Sequence, residues 1–316
     1  MRRIALAAIA FAACFGARAD EPQREDWSPA IETVIVTPHR AGPLIWRVAD
    51  GDSTVYLLGV VEPMPESLEW NEAGVRAALK GARQLLLPPK ASVGLVEGLW
   101  FLLWHSDDVY LPSDSPMESM LPEALKVRFD AALKEVGRDA GRYARLRPPL
   151  AGLRLEADFL KARGLTADEP GDRLRRIAQG YGVSAKPIAD YGALPMLRQL
   201  PTMSRAANEG CLKALLDDID AIRARARPAA EAWAKGDLPA LETYFSDQRF
   251  ESCIEALPSF AALAARSTND SVNAVRSALA KPGKTVIALS VGALLRRNGV
   301  LDRLEAAGLK VEPPGN

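Results

Sequence analysis

The chain has 316 residues, of which 40 are basic and 40 acidic, so its formal net charge is zero. This balance gives no electrostatic reason to expect nucleic acid or an anionic membrane surface as a partner. Hydrophobic residues make up 48% of the chain, which is typical of a globular protein. No stretch after residue 20 is long and apolar enough to cross a bilayer, so we expect no transmembrane segment in the mature chain.

The first 19 residues have the three parts of a cleaved secretory signal. Two arginines precede an apolar run at 4–15, and Ala-Arg-Ala follows at 17–19. An uncleaved anchor would need about 20 apolar residues. We therefore predict a signal peptide at 1–19 and a mature protein that is periplasmic or secreted. Lipid attachment at Cys14 is the less favoured route, because Phe11 stands where a leucine is usual.

A polar, proline-containing lead segment follows at 20–42, and we predict that it is flexible. Within it, residues 32–37 read Glu-Thr-Val-Ile-Val-Thr, a short β-prone run that Pro38 ends. This run looks like the TonB box of outer-membrane receptors, which binds a periplasmic partner by adding a strand to its sheet. A periplasmic partner bound through 32–37 is one hypothesis; an ordinary edge strand or tether is the other.

From residue 44 the pattern becomes globular, and strand and helix signals follow one another. A turn at Asp50-Gly51-Asp52 predicts a hairpin between the first two strands. Strands are predicted at 45–48, 54–59, 84–87, 285–289 and 308–311. Helices are predicted at 72–81, 121–136, 150–163, 172–181, 204–234, 271–280 and 300–307. Pro228 is expected to kink or divide the longest helix. The order predicts an α/β fold with a short central mixed sheet and long helical insertions.

Two cysteines remain after signal removal, Cys211 and Cys253. In an oxidising compartment an even pair predicts a disulfide bond, with two buried free thiols as the alternative. In the chain-entropy model a loop of this length contributes roughly 4 kcal/mol of stability. The chain has no Cys-x-x-Cys motif that would indicate a thiol-redox or metal role.

Several segments, taken in order, resemble one known family. They lie at 43–48, 50–52, 55–59, 147–150, Trp233 with 236–237, Arg266, 299–301 and 308–311. Their order and spacing resemble the TraB/GumN family, which includes the Tiki proteases and many exported bacterial proteins. The resemblance covers 43–312, which we predict to be a single TraB/GumN-like domain.

The resemblance implies a metal site built from two Gly-x-x-His turns and carboxylates at neighbouring strand ends. Imidazole and carboxylate groups are suitable ligands for a divalent metal that activates water. In this chain Glu62 and Ala293 stand where the two histidines are expected. Pro88 replaces a glutamate at the end of a strand, and Asp190 corresponds to the remaining carboxylate. This is therefore a divergent member of the family, with both Gly-x-x-His histidines missing.

The chain has only two histidines, His39 and His105. His39 lies in the lead segment and is expected to be a solvated loop residue. His105 follows an apolar run containing Trp100 and Trp104 and is expected at a helix end or lining a groove. The two tryptophans lie one helical turn apart, so we expect them in the core, with a partner groove as the alternative.

A pocket is still expected at the strand ends, because such ends form a crevice whatever side chains line it. The candidate pocket residues are Glu62, Asp190, Tyr191, Arg266 and Arg297. They would bind an unidentified small polar or peptide ligand. The alternatives are that Arg297 belongs to a solvated turn, and that Arg266 forms a structural ion pair with Glu62 or Asp190.

We assign no catalytic residue, no metal ligand and no cofactor, because the chain has no catalytic signature. The leading hypothesis is a pseudoenzyme, a non-catalytic binding or accessory protein of the cell envelope. The alternative is a metal-dependent peptidase or hydrolase that uses Glu62 and Asp190 with a hard cation, for which carboxylate oxygens are suitable ligands.

Overall fold

The computed structural model describes residues 42–167, 170–245 and 258–315. The predicted signal peptide, Cys14, the segment 32–37, His39 and Cys253 lie outside these described residues. Within them, no helix is both long enough and apolar enough to cross a membrane.

The described chain folds into an α/β structure. Its strands are β1 (Ile45–Asp50), β2 (Ser53–Val60), β3 (Met64–Pro65), β4 (Ala82–Leu87), β5 (Lys90–Ser92), β6 (Leu165–Thr166), β7 (Ser184–Pro187), β8 (Asp190–Gly192), β9 (Gly283–Ser290) and β10 (Val311–Glu312). Its helices are α1 (Ala73–Leu79), α2 (Leu95–Trp104), α3 (Ser106–Val109), α4 (Glu123–Val136), α5 (Pro148–Ala162), α6 (Gly171–Gly180), α7 (Leu194–Leu197), α8 (Arg205–Lys235), α9 (Leu238–Phe245), α10 (Pro258–Leu279), α11 (Val291–Leu295) and α12 (Val300–Ala306).

The central sheet is mixed and has six strands in the order β10-β1-β2-β9-β4-β7. β1 and β2 form the predicted antiparallel hairpin, whose turn contains Gly51 with a positive φ of 54°. A left-handed backbone of this kind favours glycine. β10 pairs antiparallel with β1, whereas β2, β9, β4 and β7 are mutually parallel. The α/β class and the mixed central sheet are therefore confirmed.

The two central strands, β2 and β9, form the interior of the sheet. The run 286–289 of β9 is fully buried, as are Val55, Leu57 and Leu58 of β2. Strands buried on both faces by helices are expected to be continuously apolar. Because β2 and β9 are parallel neighbours, both end at the same edge of the sheet. Polar residues after these strands therefore lie close together in space.

Some predicted boundaries differ from the observed ones. Pro228 does not divide the longest helix, because α8 continues through it to Lys235. The helix predicted at 271–280 begins much earlier, at Pro258, and the last strand is only Val311–Glu312. The short strands β3, β5, β6, β7 and β8 have two to four residues each and were not predicted. Such short strands depend on pairing with distant segments rather than on a local pattern.

A second hydrophobic cluster lies away from the sheet, between α4, α5 and α8. Its helices contribute large buried side chains, among them Phe129, Leu155 and Phe159. The close approach of α5 to α8 depends on Gly152, where an added Cβ would lie 2.6 Å from Leu215 Cδ1 and 3.0 Å from Leu215 Cβ. This contact sets how closely the two helices pack.

We expect Gly152→Ala to destabilise the protein, because the new methyl group must push Leu215 and the α8 backbone away. Overpacking of this kind costs about 1–3 kcal/mol. The matched control is Gly210→Ala, also in a helix, where an added Cβ meets no atom within 4 Å. That variant is expected to be more stable by about 0.5–1 kcal/mol. Chemical denaturation of both variants measures the difference; equal stabilities would contradict the packing role of Gly152.

Candidate functional site

A cavity of about 570 Å³ lies beyond the ends of β2 and β9 and is called here the strand-end cavity. Its wall is completed by α5, α8, α9, α10 and α11. The charged side chains that line it are Glu62, Glu156, Asp218, Arg225 and Arg296. The rest of the lining is hydroxyl-bearing or apolar. This volume and this mixed lining are typical of sites for small organic ligands.

The two positions where the resemblance expects histidines both line the strand-end cavity. β2 and β9 pair in register, with Val60 opposite Ser290, and the segment after each strand lines the cavity. Glu62 is exposed there, and Ala293 lies in α11, the short helix that follows β9. Ser290 caps α11, because its Oγ accepts a hydrogen bond from the backbone N–H of Ala293 at 3.1 Å. The structure therefore brings Glu62 and Ala293 together, as the resemblance implies.

Helix α8 is held against the end of β2 by Trp233. The indole Nε1 of this fully buried residue donates a hydrogen bond of 2.6 Å to the carbonyl oxygen of Gly59. The Trp70 ring packs edge-on against Trp233 with 5.2 Å between ring centroids. Gly59 itself has no room for a side chain, since an added Cβ would lie 3.0 Å from the Trp46 ring. These contacts fix the α8 wall of the cavity relative to the sheet.

Two carboxyl groups on that helical wall, Glu156 of α5 and Asp218 of α8, are called here the acid pair. Burial, reinforced by the charge of Asp218, raises the pKa of Glu156 to about 7. Burial, reinforced by Asp217 and opposed by Arg225, raises the pKa of Asp218 to about 6. The Oδ2 atom of Asp218 is fully buried and has no hydrogen-bond partner in the described part of the chain. Desolvated carboxyl groups of this kind are typical of functional sites.

Two arginines supply the positive charge of the cavity. Arg225 of α8 donates through Nη1 to the carbonyl oxygen of Tyr244 at 3.0 Å. Arg296, which follows α11, donates through Nη2 to the hydroxyl of Thr268. Arg296 is half-buried, and this burial lowers its pKa. Within the described ranges neither guanidinium lies within ion-pair distance of a carboxylate.

Of the five predicted pocket residues, Glu62 alone lines this cavity. Asp190 is exposed and lies 3.1 Å from Lys90 Nζ, and the Ser92 hydroxyl donates to it at 2.6 Å. These two contacts, the Ser92 hydrogen bond first, lower the pKa of Asp190. Arg297 is exposed on the turn after α11. The predicted convergence of the five residues is therefore corrected, because only Glu62 lines the cavity and the other four side chains contact other groups or solvent.

Tyr191 and Arg266 do meet, but in a separate cluster. The Tyr191 hydroxyl donates to Asp270 at 2.8 Å, and burial raises the pKa of Tyr191 to about 12. The Arg266 guanidinium lies 5.1 Å from the centre of the Tyr191 ring, with its Nε 3.6 Å from Asp270. The carboxylate partner of Arg266 is thus Asp270, one turn along α10, rather than Glu62 or Asp190. This cluster joins α10 to β8 and does not line the strand-end cavity.

His105 lies at the end of α2, as predicted, and caps that helix. Its ring stacks on Phe101 with 5.4 Å between centroids, and its Nδ1 lies 3.7 Å from Asp108. It does not line the strand-end cavity. The expectation that Trp100 and Trp104 are core residues is wrong, because their exposed fractions are 53% and 71%. Phe101 is the side chain of α2 that packs inward, which turns the tryptophans outward.

This exposure can be measured by fluorescence quenching. In a background with Trp27 replaced by phenylalanine, we expect acrylamide to quench a solvent-accessible component of the emission. Replacing Trp100 and Trp104 with phenylalanine should remove most of that component, because the other three tryptophans of the described chain are buried. Trp46→Phe, which removes a buried indole, should retain it. A quenchable component that survives the Trp100/Trp104 double substitution would contradict the outward orientation of α2.

The fold and the site together define an α/β protein with a ligand-sized cavity at the ends of two parallel strands. A family model, described as the TraB/PrgY/gumN family, matches residues 44–313. The match covers most of the chain, so this chain belongs to the TraB/PrgY/gumN family. The comparisons with curated proteins and with solved structures found no match.

The side chains present do not fit the metal site that the family resemblance implies. Among the residues that the structure describes, no group of three or more histidine, cysteine, aspartate or glutamate side chains is arranged to hold a metal ion. At the strand ends, Glu62 and Ala293 supply one carboxylate and one methyl group. A catalytic zinc normally needs three protein ligands. We therefore derive no chemistry from a metal at this site.

The acid pair, Arg225 and Arg296 were not among the predicted site residues. One signal was available for the acids: each shares a helix face with apolar residues one turn away, Glu156 with Phe159, and Asp218 with Leu215 and Ile222. A carboxyl group on such a face is expected to be buried and functional or paired. Which helices would face each other could not be known from that pattern alone.

Proposed function

We propose that this chain is an exported family member that binds a small polar or peptide ligand in the strand-end cavity without converting it. It would act as a binding or accessory protein of the cell envelope. The signal-like sequence at 1–19 supports export, and the proposed disulfide between Cys211 and Cys253 is consistent with an oxidising compartment. The segment 32–37 is a proposed contact for a periplasmic partner.

One observation carries this proposal: Glu62 and Ala293, which stand where the family resemblance expects histidines, both line a ligand-sized cavity. A cavity of about 570 Å³ has room for a compound of the size of a dipeptide or a monosaccharide derivative. Its lining offers carboxyl, guanidinium and hydroxyl groups beside apolar surface, so a ligand can be oriented as well as enclosed.

The geometry gives less support to a hydrolase that uses Glu62 and Asp190 together. Asp190 is engaged by Lys90 and Ser92 and does not line the cavity that contains Glu62. Metal-stimulated peptide cleavage that disappears in Glu62→Ala would favour the hydrolase over the binding protein.

A thermal-shift screen tests the proposed binding function. The mature protein is screened against amino acids, short peptides, amino sugars and organic acids, because a ligand that binds the folded state raises the unfolding temperature. The blocked variant is Ala293→Trp, which places an indole in the cavity; the matched control is Ala131→Trp, on the exposed face of α4. We expect at least one compound to stabilise the wild type and Ala131→Trp but not Ala293→Trp.

The proposal fails if no compound class stabilises the wild type, or if stabilisation persists in Ala293→Trp. Both variants are first compared by circular dichroism, so that loss of binding is not confused with loss of fold.

A further inference from the structure

The strand-end cavity contains opposite charges that do not neutralise each other. The acid pair lies on the wall made by α5 and α8, and Arg296 lies on the wall after α11. In the part of the chain that the structure describes, no ion pair joins Glu156, Asp218 or Arg296 to any other charged residue. The cavity therefore has a guanidinium on one wall and two carboxyl groups on another, none of them in an ion pair, although the charge of Arg225 partly offsets that of Asp218.

Leaving these groups unpaired is energetically unfavourable in the absence of a ligand. The buried Oδ2 of Asp218 has no hydrogen-bond donor, and a polar atom buried in this way costs free energy. The half-buried guanidinium of Arg296 has a hydroxyl partner, Thr268, but no anion. A half-buried charge is stabilised when an opposite charge is brought within hydrogen-bonding distance. A ligand that carries both an ammonium and a carboxylate group would bring an opposite charge to each of these two walls.

We propose that the strand-end cavity binds a small zwitterion, whose ammonium group is held by Glu156 and Asp218 and whose carboxylate is held by Arg296. This inference rests on the proposed binding function and names its ligand class. The apolar part of the ligand would lie against the apolar lining of the cavity, which includes Ile222 and Phe245. Arg225 lies on α8 with Asp218 and its charge already acts on that carboxyl group, so Arg296, on the wall after α11, is the guanidinium assigned to the ligand carboxylate.

The raised pKa values of the acid pair predict a proton release when a zwitterion binds. At neutral pH the raised pKa values leave the acid pair partly protonated, and an ammonium group would favour the doubly ionised form. The charged and titratable groups around the pair are Glu62, Asp217, Arg225, Tyr244 and Arg296. Binding of a zwitterion is therefore expected to release a proton near pH 7. Measuring the binding enthalpy in buffers of different ionisation enthalpy reports this release.

Matched dipeptides provide the test. Binding of alanyl-leucine, N-acetyl-alanyl-leucine and alanyl-leucine amide to the mature protein is measured by calorimetry. Because each derivative lacks one charge, we expect each to bind about tenfold or more weakly than the free dipeptide. Asp218→Asn should remove the preference for the free amine, and Arg296→Gln the preference for the free carboxylate. Asp130→Asn and Arg297→Gln are controls, because both side chains are exposed and neither lines the cavity, and both variants should keep the preferences.

The outcomes separate this inference from the proposed function. Equal affinities for the three dipeptides, or preferences that survive both cavity substitutions, would overturn the zwitterion assignment. The zwitterion assignment would also be overturned if the compounds that bind the wild type but not Ala293→Trp all lacked one of the two charges. The cavity would then remain a binding site for another class of ligand. If the compounds that bind do so equally well to Ala293→Trp, the proposed function itself fails.

Discussion

The Glu156→Gln variant is expected to be more stable than the wild type at pH 8, by on the order of 3 kcal/mol in the ligand-free protein. The pKa of Glu156 is raised from 4.5 to about 7, mainly by burial. Below about pH 4.5 the side chain is protonated in both folded and unfolded chains and has no effect on relative stability. Between pH 4.5 and 7 the folded state binds more protons than the unfolded state, so the free energy of unfolding falls as pH rises. Above pH 7 the full penalty of burying the carboxylate is present.

Glutamine has nearly the same shape and no charge, so Glu156→Gln removes this penalty and flattens the profile between about pH 6 and 8, while Asp218 still contributes a slope below about pH 6. Denaturation at several pH values measures the effect. The control is Glu135→Gln. Its carboxylate is paired with Arg223 and Arg163, which lower the pKa of Glu135, so that variant should lose a little stability near neutral pH. A Glu156→Gln profile that parallels the wild type would show that the carboxyl group is not buried as described.

The Trp233→Phe variant is expected to lose about 3 kcal/mol of stability. The substitution leaves the buried Gly59 carbonyl without its indole donor, at a cost of about 1–3 kcal/mol. It also opens a void beside Trp70, because the smaller ring cannot fill the space of a fully buried indole. Chemical denaturation gives the magnitude.

The control for that substitution is Trp104→Phe, where the same chemical change occurs on an exposed side chain. It should alter stability by less than about 0.5 kcal/mol. Because Trp233 holds α8 against β2, the loss of stability in Trp233→Phe should be accompanied by weaker ligand binding in the strand-end cavity. Equal stability of the two tryptophan variants would contradict the anchoring role of Trp233.

Part of the fold could be predicted because its signals are local. The turn at Gly51 and the apolar run 286–289 indicate a hairpin and a buried strand from neighbouring residues alone. The continuation of α8 past Pro228 could not be predicted from neighbouring residues. A proline interior to a helix removes one hydrogen bond, and the packing of a 31-residue helix outweighs that local cost.

The candidate site was predictable only where the family resemblance supplied positions. Glu62 and Ala293 lie together in the cavity, as their places in the two strand-end turns imply. Arg266 lies beside Asp270, one helical turn away, which the sequence could not distinguish from a contact across the sheet. The acid pair depends on which faces of α5 and α8 meet, and this is set by long-range packing around residues such as Gly152. Long-range packing of this kind leaves no local signature.

The metal content of the purified mature protein tests most directly whether this chain lacks the metal site that the family resemblance implies. Protein prepared without chelators is analysed for zinc, manganese and cobalt by mass spectrometry, together with Glu62→Ala. We expect far less than one ion per chain in both proteins, because the strand ends present Glu62 and Ala293 instead of two imidazoles. One tightly bound ion per wild-type chain, lost in Glu62→Ala, would contradict the account.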